Sequence, residues 1–290
     1  MLNDLCLNQL ACGTANADAR SLLWNVVGGI IVSILTGLFF YFRYKLRAYH
    51  LQRLIGFRFK REVEVRIIYG QLLLPAIRDP NGNRISHPYV KPERRGGALP
   101  LQGTYSIEHP VSECEVRATT YLASLFGLRG ILRTSVASDI ESDLLLDSNL
   151  VSLGGPGSNY KTADILASSA NIFIRMTHTG FALPNGQQLP YRCTNEVDHG
   201  FILRITPPDF PNRSWIVCAG LGEWGTSGTA WYLAHQWKRL ARSIHPFAYW
   251  SGVMKIPDFL VIVRVVLGQD QSSHVEAIYR NVSNRLQRVR

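Results

Sequence analysis

From Ser21 to Phe42 the chain runs 22 residues without a charge, bounded by Arg20 and Arg43. As a helix rising ~1.5 Å per residue, such a run spans about 33 Å, enough for the hydrocarbon core of a bilayer. Trp24 near one end and Tyr41 and Tyr44 near the other stand where an interfacial aromatic belt would put them. A cleaved signal peptide fits poorly: no basic segment precedes the run, and Phe39-Phe40-Tyr41-Phe42 is not a small-residue cleavage site. The pattern predicts one transmembrane helix over 21–42 after a short extracytoplasmic segment, 1–20. Along it Asn25, Gly29, Ser33 and Gly37 recur every four residues. Small groups at that spacing let backbones approach closely, so self-association is expected through this row, with a pore as an extension of it.

Residues 43–61 read as a basic juxtamembrane connector, with Leu46, Leu51, Leu54 and Ile55 among the cations, suited to an anionic leaflet or to a stop-transfer flank. From Glu62 the pattern turns to strand period, Val63, Val65 and Ile67 alternating with charged residues. Residues 79–110 hold turn residues and read as a long loop or extended hairpin. Ser112 and Glu115 fit a capping box that opens a helix closed by Gly127. Strands are predicted at 131–136, 150–153, 172–176, 201–205, 215–219 and 259–267, with Asp198-His199-Gly200 as a turn before the fourth. Helices are predicted from about Lys161 and from Thr229 to about Ser243. Strands separated by helices imply an α/β fold with a mostly parallel sheet, a Rossmann-like cytosolic domain over 62–290.

Charge refines this. The 31 basic and 21 acidic side chains give +10 overall. Residues 1–42 carry only Asp4, Asp18 and Arg20, whereas 43–61 carry seven cations and no acid. The basic collar argues against a nucleic-acid-binding surface and, by the positive-inside rule, places the N-terminus outside and the C-terminal domain in the cytoplasm of an inner membrane. Cys6 and Cys12 then fall where a bridge is permitted; Cys114, Cys193 and Cys218 should be reduced. Metal-ligand spacing is absent, so no metal and no bound cofactor are expected.

Two strand–glycine–helix units carry the candidate chemistry. The first supplies Gly154, Gly155, Gly157, Ser158, Asn159, Lys161 and Thr162; the second supplies Gly222, Glu223, Trp224, Gly225, Thr226, Ser227, Gly228 and Thr229. Such loops let backbone N–H groups converge on an anion at the positive end of a helix, and their hydroxyls suit phosphate or ribose. Trp224 is placed to stack on a purine. The first loop ends in Lys161-Thr162 but has Tyr160 where a Walker A loop needs Gly, and no G-x-G-x-x-G follows the first strand. ATP hydrolysis and classical NAD binding both lose ground. Catalytic candidates are Asp198, Glu223 and His199, with Asp139, Glu141 and Asp143 as a further acidic cluster; a turn-forming role competes for all of them.

The second loop resembles the glycine-rich phosphate loop of the SLOG group of Rossmann-like proteins. Hydrolase members carry P-G-G-x-G-T-x-x-E, and here Tyr232 or Thr229 takes the Glu position, depending on whether Gly228-Thr229 or Gly225-Thr226 is aligned. The whole architecture resembles membrane-anchored effectors of bacterial nucleotide-signalled antiphage systems (CBASS-like). That resemblance implies a sensor domain that binds a nucleotide or oligonucleotide second messenger and controls the assembly of its membrane helices, with a signal-producing nucleotidyltransferase as partner. The residues favour binding over catalysis. The alternatives are a membrane-tethered nucleotide- or NAD-processing enzyme and a protein-binding scaffold.

Overall fold

The structure, a computed structural model, describes residues 2–56, 64–71, 87–90, 102–105, 111–127, 133–141, 147–177, 180–244, 257–283 and 285–289. The chain divides into two compact units, Met1–Tyr49 and His50–Arg290.

In the first unit, helix α1 (Leu2–Ile55) starts well before the uncharged run and continues beyond it. Its segment Leu23–Ile55 is long and apolar enough to cross a membrane. Leu23, Trp24, Val26, Val32, Leu35 and Phe40 are all exposed, and these positions go all the way round the helix. Apolar side chains on every face leave no polar side to turn to water. A Cβ added at Gly29 or Gly37 meets nothing within 4 Å. The Ser33 hydroxyl donates to the Gly29 carbonyl at 2.8 Å, so its proton is committed within the helix.

The last turn of α1 belongs to the second unit. Leu51, Leu54 and Ile55 are fully buried in its core, which corrects the picture of a connector lying on a lipid surface. Spacing of i, i+3 and i+4 puts all three on one stripe.

The core of this unit is an eight-stranded sheet. Its strands are β1 (Glu64–Tyr69), β4 (Arg133–Ser138), β5 (Asn149–Leu153), β8 (Val197–Ile205), β9 (Trp215–Gly220), β10 (Phe259–Val266), β11 (Gln269–Val282) and β12 (Arg285–Arg288), in the order β12-β11-β10-β8-β9-β5-β1-β4. Two small hairpins lie apart from it, β2 (His87–Val90) with β3 (Gln102–Tyr105) and β6 (Arg175–Thr177) with β7 (Gly180–Ala182). The expected hairpin within 79–110 is thus present.

The sheet is mixed. β4, β1, β5 and β9 pair in parallel, while β9, β8, β10, β11 and β12 pair antiparallel because short connections join β8 to β9 and β10 to β11. Alternate residues of each strand face opposite layers. Val65, Ile67, Val151, Ile216, Ile202 and Val261 meet the end of α1, α2 (Glu113–Gly127) and α4 (Glu223–Ile244). Ile68, Leu150, Val217, Phe201 and Leu260 meet α3 (Tyr160–Ala167) and the segment around Phe173 and Phe181.

Three local expectations are revised. Asp198-His199-Gly200 is not a turn but lies within β8. Strand β6 is shorter than the predicted 172–176 and stands outside the main sheet. The capping box does not form: Glu115 Oε2 accepts from the Gly70 N–H at 2.9 Å instead of turning back on its own helix.

Gly56 ends α1 with φ 85°, and a Cβ there would run into the Arg204 guanidinium. Arg204 cannot swing away: it is 1% exposed, bonds Ser214 Oγ at 3.3 Å and the Pro257 carbonyl at 3.2 Å, and lies 6.0 Å over Phe259. Gly56→Ala should therefore cost about 1–3 kcal/mol in urea unfolding of the detergent-solubilised protein, more than an ordinary helix-end glycine.

Candidate functional site

Three parallel strands end beside one another, and the chain reverses its direction of placement between them: β4 lies on one flank of β1 and β5 on the other. Crevices beyond the carboxyl ends of strands at such a switch are the usual ligand position in open α/β sheets. Here the Gly154 and Gly220 turns, which follow β5 and β9, open on a cavity of about 300 Å³. Its wall holds Gly154, Gly155, Gly157, Ser158, Gly222, Glu223 and Thr226 of the predicted set, joined by Ser112, Cys114, Glu115, Met176, Gly220 and Leu221. A larger cavity of about 650 Å³ shares Gly157, Met176 and Leu221 with it and adds Arg192, Cys193, Gly180 and Thr177. The two glycine loops thus share one cleft.

The helix N-termini behind that cleft are already filled. Asp198, fully buried on β8, accepts from the Gly225 N–H at 2.6 Å, from Gly222 at 3.0 Å and from His199 at 2.7 Å. A carboxylate of the protein sits where a phosphate would meet the positive end of α4. Asp139, 2% exposed, accepts from the Tyr160 N–H at 2.9 Å at the start of α3 and from Gln71 at 3.0 Å. Asn159 completes that cap by accepting from the Thr162 N–H at 3.0 Å, and its amide donates to the Leu153 carbonyl at 2.7 Å.

Much of the second predicted loop is helix. α4 begins at Glu223, so Gly225 and Gly228 are helical residues. A Cβ at Gly225 would lie 2.6 Å from Gly220 Cα and 2.8 Å from the His199 carbonyl, so this glycine serves close helix–strand packing and not approach to a phosphate. The hydroxyls turn inward as well. Thr226 accepts from the Gly220 N–H at 3.1 Å, Ser227 donates to Asp270 and Thr229 donates to the Thr226 carbonyl at 2.8 Å. Trp224 lies under the Arg117 guanidinium at 4.0 Å, so that face of the indole is taken. Thr162 pairs with Ser152 at 2.7 Å, and Lys161 is buried with its Nζ 3.8 Å from Asp164. Asn159, Lys161, Thr162, Trp224, Gly225, Ser227, Gly228 and Thr229 are absent from the walls of both cavities.

The acid–base candidates separate too. Asp198 and His199 are neighbours on a strand and point to opposite faces. His199 Nδ1 meets the Arg192 carbonyl at 2.6 Å and Nε2 meets Glu276 at 3.2 Å. Glu141 accepts from the Ser138 N–H within its own turn, and Asp143 lies outside the described residues. The described thiols are not activated: burial pushes Cys114 up to about 11, Cys218 up to about 12 and Cys193 upward. Cys6 and Cys12 lie outside the residues whose side chains are described. Among the described residues no three His, Cys, Asp or Glu are grouped to hold a metal.

Glu115 emerges in their place. It is 5% exposed, lines the smaller cavity, and lies with Oε1 against Gly154, whose φ of 90° and lack of Cβ make room for it. Burial pushes its carboxyl up to about 7, against the Gly70 N–H, which pulls it down; Asp139 and Glu223 push the same way as burial. No family model matches this chain, nor does any curated protein or solved structure.

Two outcomes follow from these carboxylates. Because Glu115 is raised in the folded state, the fold binds more protons than the unfolded chain between about pH 4.5 and 7, and stability falls as pH rises through that window. Glu115→Gln should leave the melting temperature unchanged near pH 4.5 and raise stability by about 1–3 kcal/mol at pH 8. Asp198→Ala empties the end of α4 and should cost about 2–4 kcal/mol. Sulfate should restore part of that loss, relative to chloride at equal ionic strength, while the unaltered protein gains nothing comparable.

Proposed function

We propose that this chain is a single-span membrane protein whose Rossmann-like cytosolic domain binds a nucleotide in the cleft and acts as a sensor without turning it over. The observation that carries this reading is the convergence of both glycine turns on one cleft at the strand switch, in a chain that also has a helix apolar enough to cross a bilayer. The basic collar supports an inner-membrane location with the N-terminus outside. The open row Asn25, Gly29, Ser33 and Gly37 supports self-association of the span, and a ligand-controlled change in that assembly is the output, as in nucleotide-signalled antiphage effectors.

One observation favours a second reading. Glu115 and Glu223 share the smaller cavity, and paired carboxyls are what a membrane-tethered nucleotide hydrolase would need. Turnover by the purified chain that stops in Glu115→Gln, with binding kept, would establish the enzyme instead of the sensor.

A thermal-shift screen of the full chain in detergent against mono-, di- and cyclic nucleotides is the direct test. Gly157 lines both cavities, and a Cβ there meets nothing within 4 Å. Gly157→Leu should keep the melting temperature of the unliganded protein and remove the nucleotide shift. A reporter fused after Arg290 should be active only on the cytoplasmic side, and release of the protein by high salt would overturn the spanning reading.

A further inference from the structure

The charges around the cleft are unequally placed. The smaller cavity carries the carboxyls of Glu115 and Glu223, and the helix ends behind it hold Asp139 and Asp198. The larger cavity carries Arg192. Arg192 Nη1 donates to the carbonyls of Leu189 at 3.1 Å and Tyr191 at 3.0 Å, which fixes the guanidinium beside Gly180. Among the described residues no carboxylate pairs with it, whereas Arg66, Arg117, Arg204 and Arg213 each have one.

We infer that the ligand lies across the shared wall at Gly157 and Met176 in one polarity, its ribose hydroxyls on Glu115 in the smaller cavity and its phosphate on Arg192 in the larger. This rests on the nucleotide reading above and reverses the usual logic of glycine loops, since phosphate is excluded from the helix ends and held by a side chain. A vicinal diol donates two hydrogen bonds and suits a carboxylate. A phosphate beside four carboxyls would be repelled, whereas Arg192 offers Nε and Nη2 in the planar fork that matches it. Burial holds the Glu115 carboxyl up to about 7, so its charge at the site depends on pH in the neutral range and the diol contact strengthens on the alkaline side.

The test uses the full chain in detergent at pH 8, with the four ribonucleosides and their 5′-monophosphates as probes, read by calorimetric titration. For the best-bound base the monophosphate should bind at least about tenfold more tightly than the nucleoside. Arg192→Gln should bring the two within about twofold while leaving nucleoside affinity unchanged, with Arg192→Lys intermediate. Glu115→Gln should weaken both by a similar factor of about ten, and the 2′-deoxynucleoside should bind the unaltered protein as weakly as the ribonucleoside binds that variant. An unchanged monophosphate-to-nucleoside ratio in Arg192→Gln, or unchanged affinities in Glu115→Gln, would overturn the polarity while leaving nucleotide binding in place. Absence of any binding by the unaltered chain would overturn the nucleotide reading itself. Glu115→Gln is expected to fold, because it removes a buried charge and keeps an acceptor for Gly70.

Discussion

The bond between the Asp198 carboxylate and the first turn of α4 sets the geometry of the cleft. Four backbone N–H groups at a helix start need acceptors, and β8 delivers one in the middle of the sheet. With that demand met, α4 can begin at Glu223 directly after β9, and Gly225 and Gly228 let it lie against β8, β9 and β10. Asp139 does the same for α3 from the far side of β1. The cleft is what remains between two helix ends that the protein has capped itself.

This explains which parts of the sequence were legible. Strands β5, β9 and β10 read clearly because they are buried on both faces and are mostly apolar, and α4 read clearly from its stripe of Leu233, Trp237, Leu240 and Ile244. Strand β11 was silent. Its first half is polar, and a bulge moves the pairing from Val263–Val275 to Ile262–Ala277, so Val275 and Ile278 share a face at a spacing of three. The period of two is broken where it would have been counted.

The site was half legible, for a related reason. Glycines after β5 and β9 marked the right end of the sheet. The purpose of each glycine was invisible, because Gly154 makes room for Glu115, Gly225 for a strand and Gly155 for the Met176 side chain, while Gly157 faces open space in the cleft. Asp198 read as a turn because Asp-His-Gly is turn chemistry, and only its pairing with Val265 of β10 shows it as a strand residue. Glu115 fitted a local capping motif and was drawn instead to Gly70 at the end of β1. Long-range partners decide what short-range patterns cannot.

The mixed topology also bears on the order in which the chain can assemble during synthesis. Residues of β1 leave the ribosome early, yet Glu64 meets Arg133 on one flank and Val65 meets Asn149 on the other. Between Leu51 and Leu54 at the end of α1 and Leu122 in α2, the apolar faces of the parallel half stay uncovered until that distant sequence arrives. The antiparallel half closes by short hairpins as soon as each second strand emerges. β1 therefore stays without a partner strand until β4 and β5 have been made, which makes it the segment where a nascent-chain chaperone has most to shield.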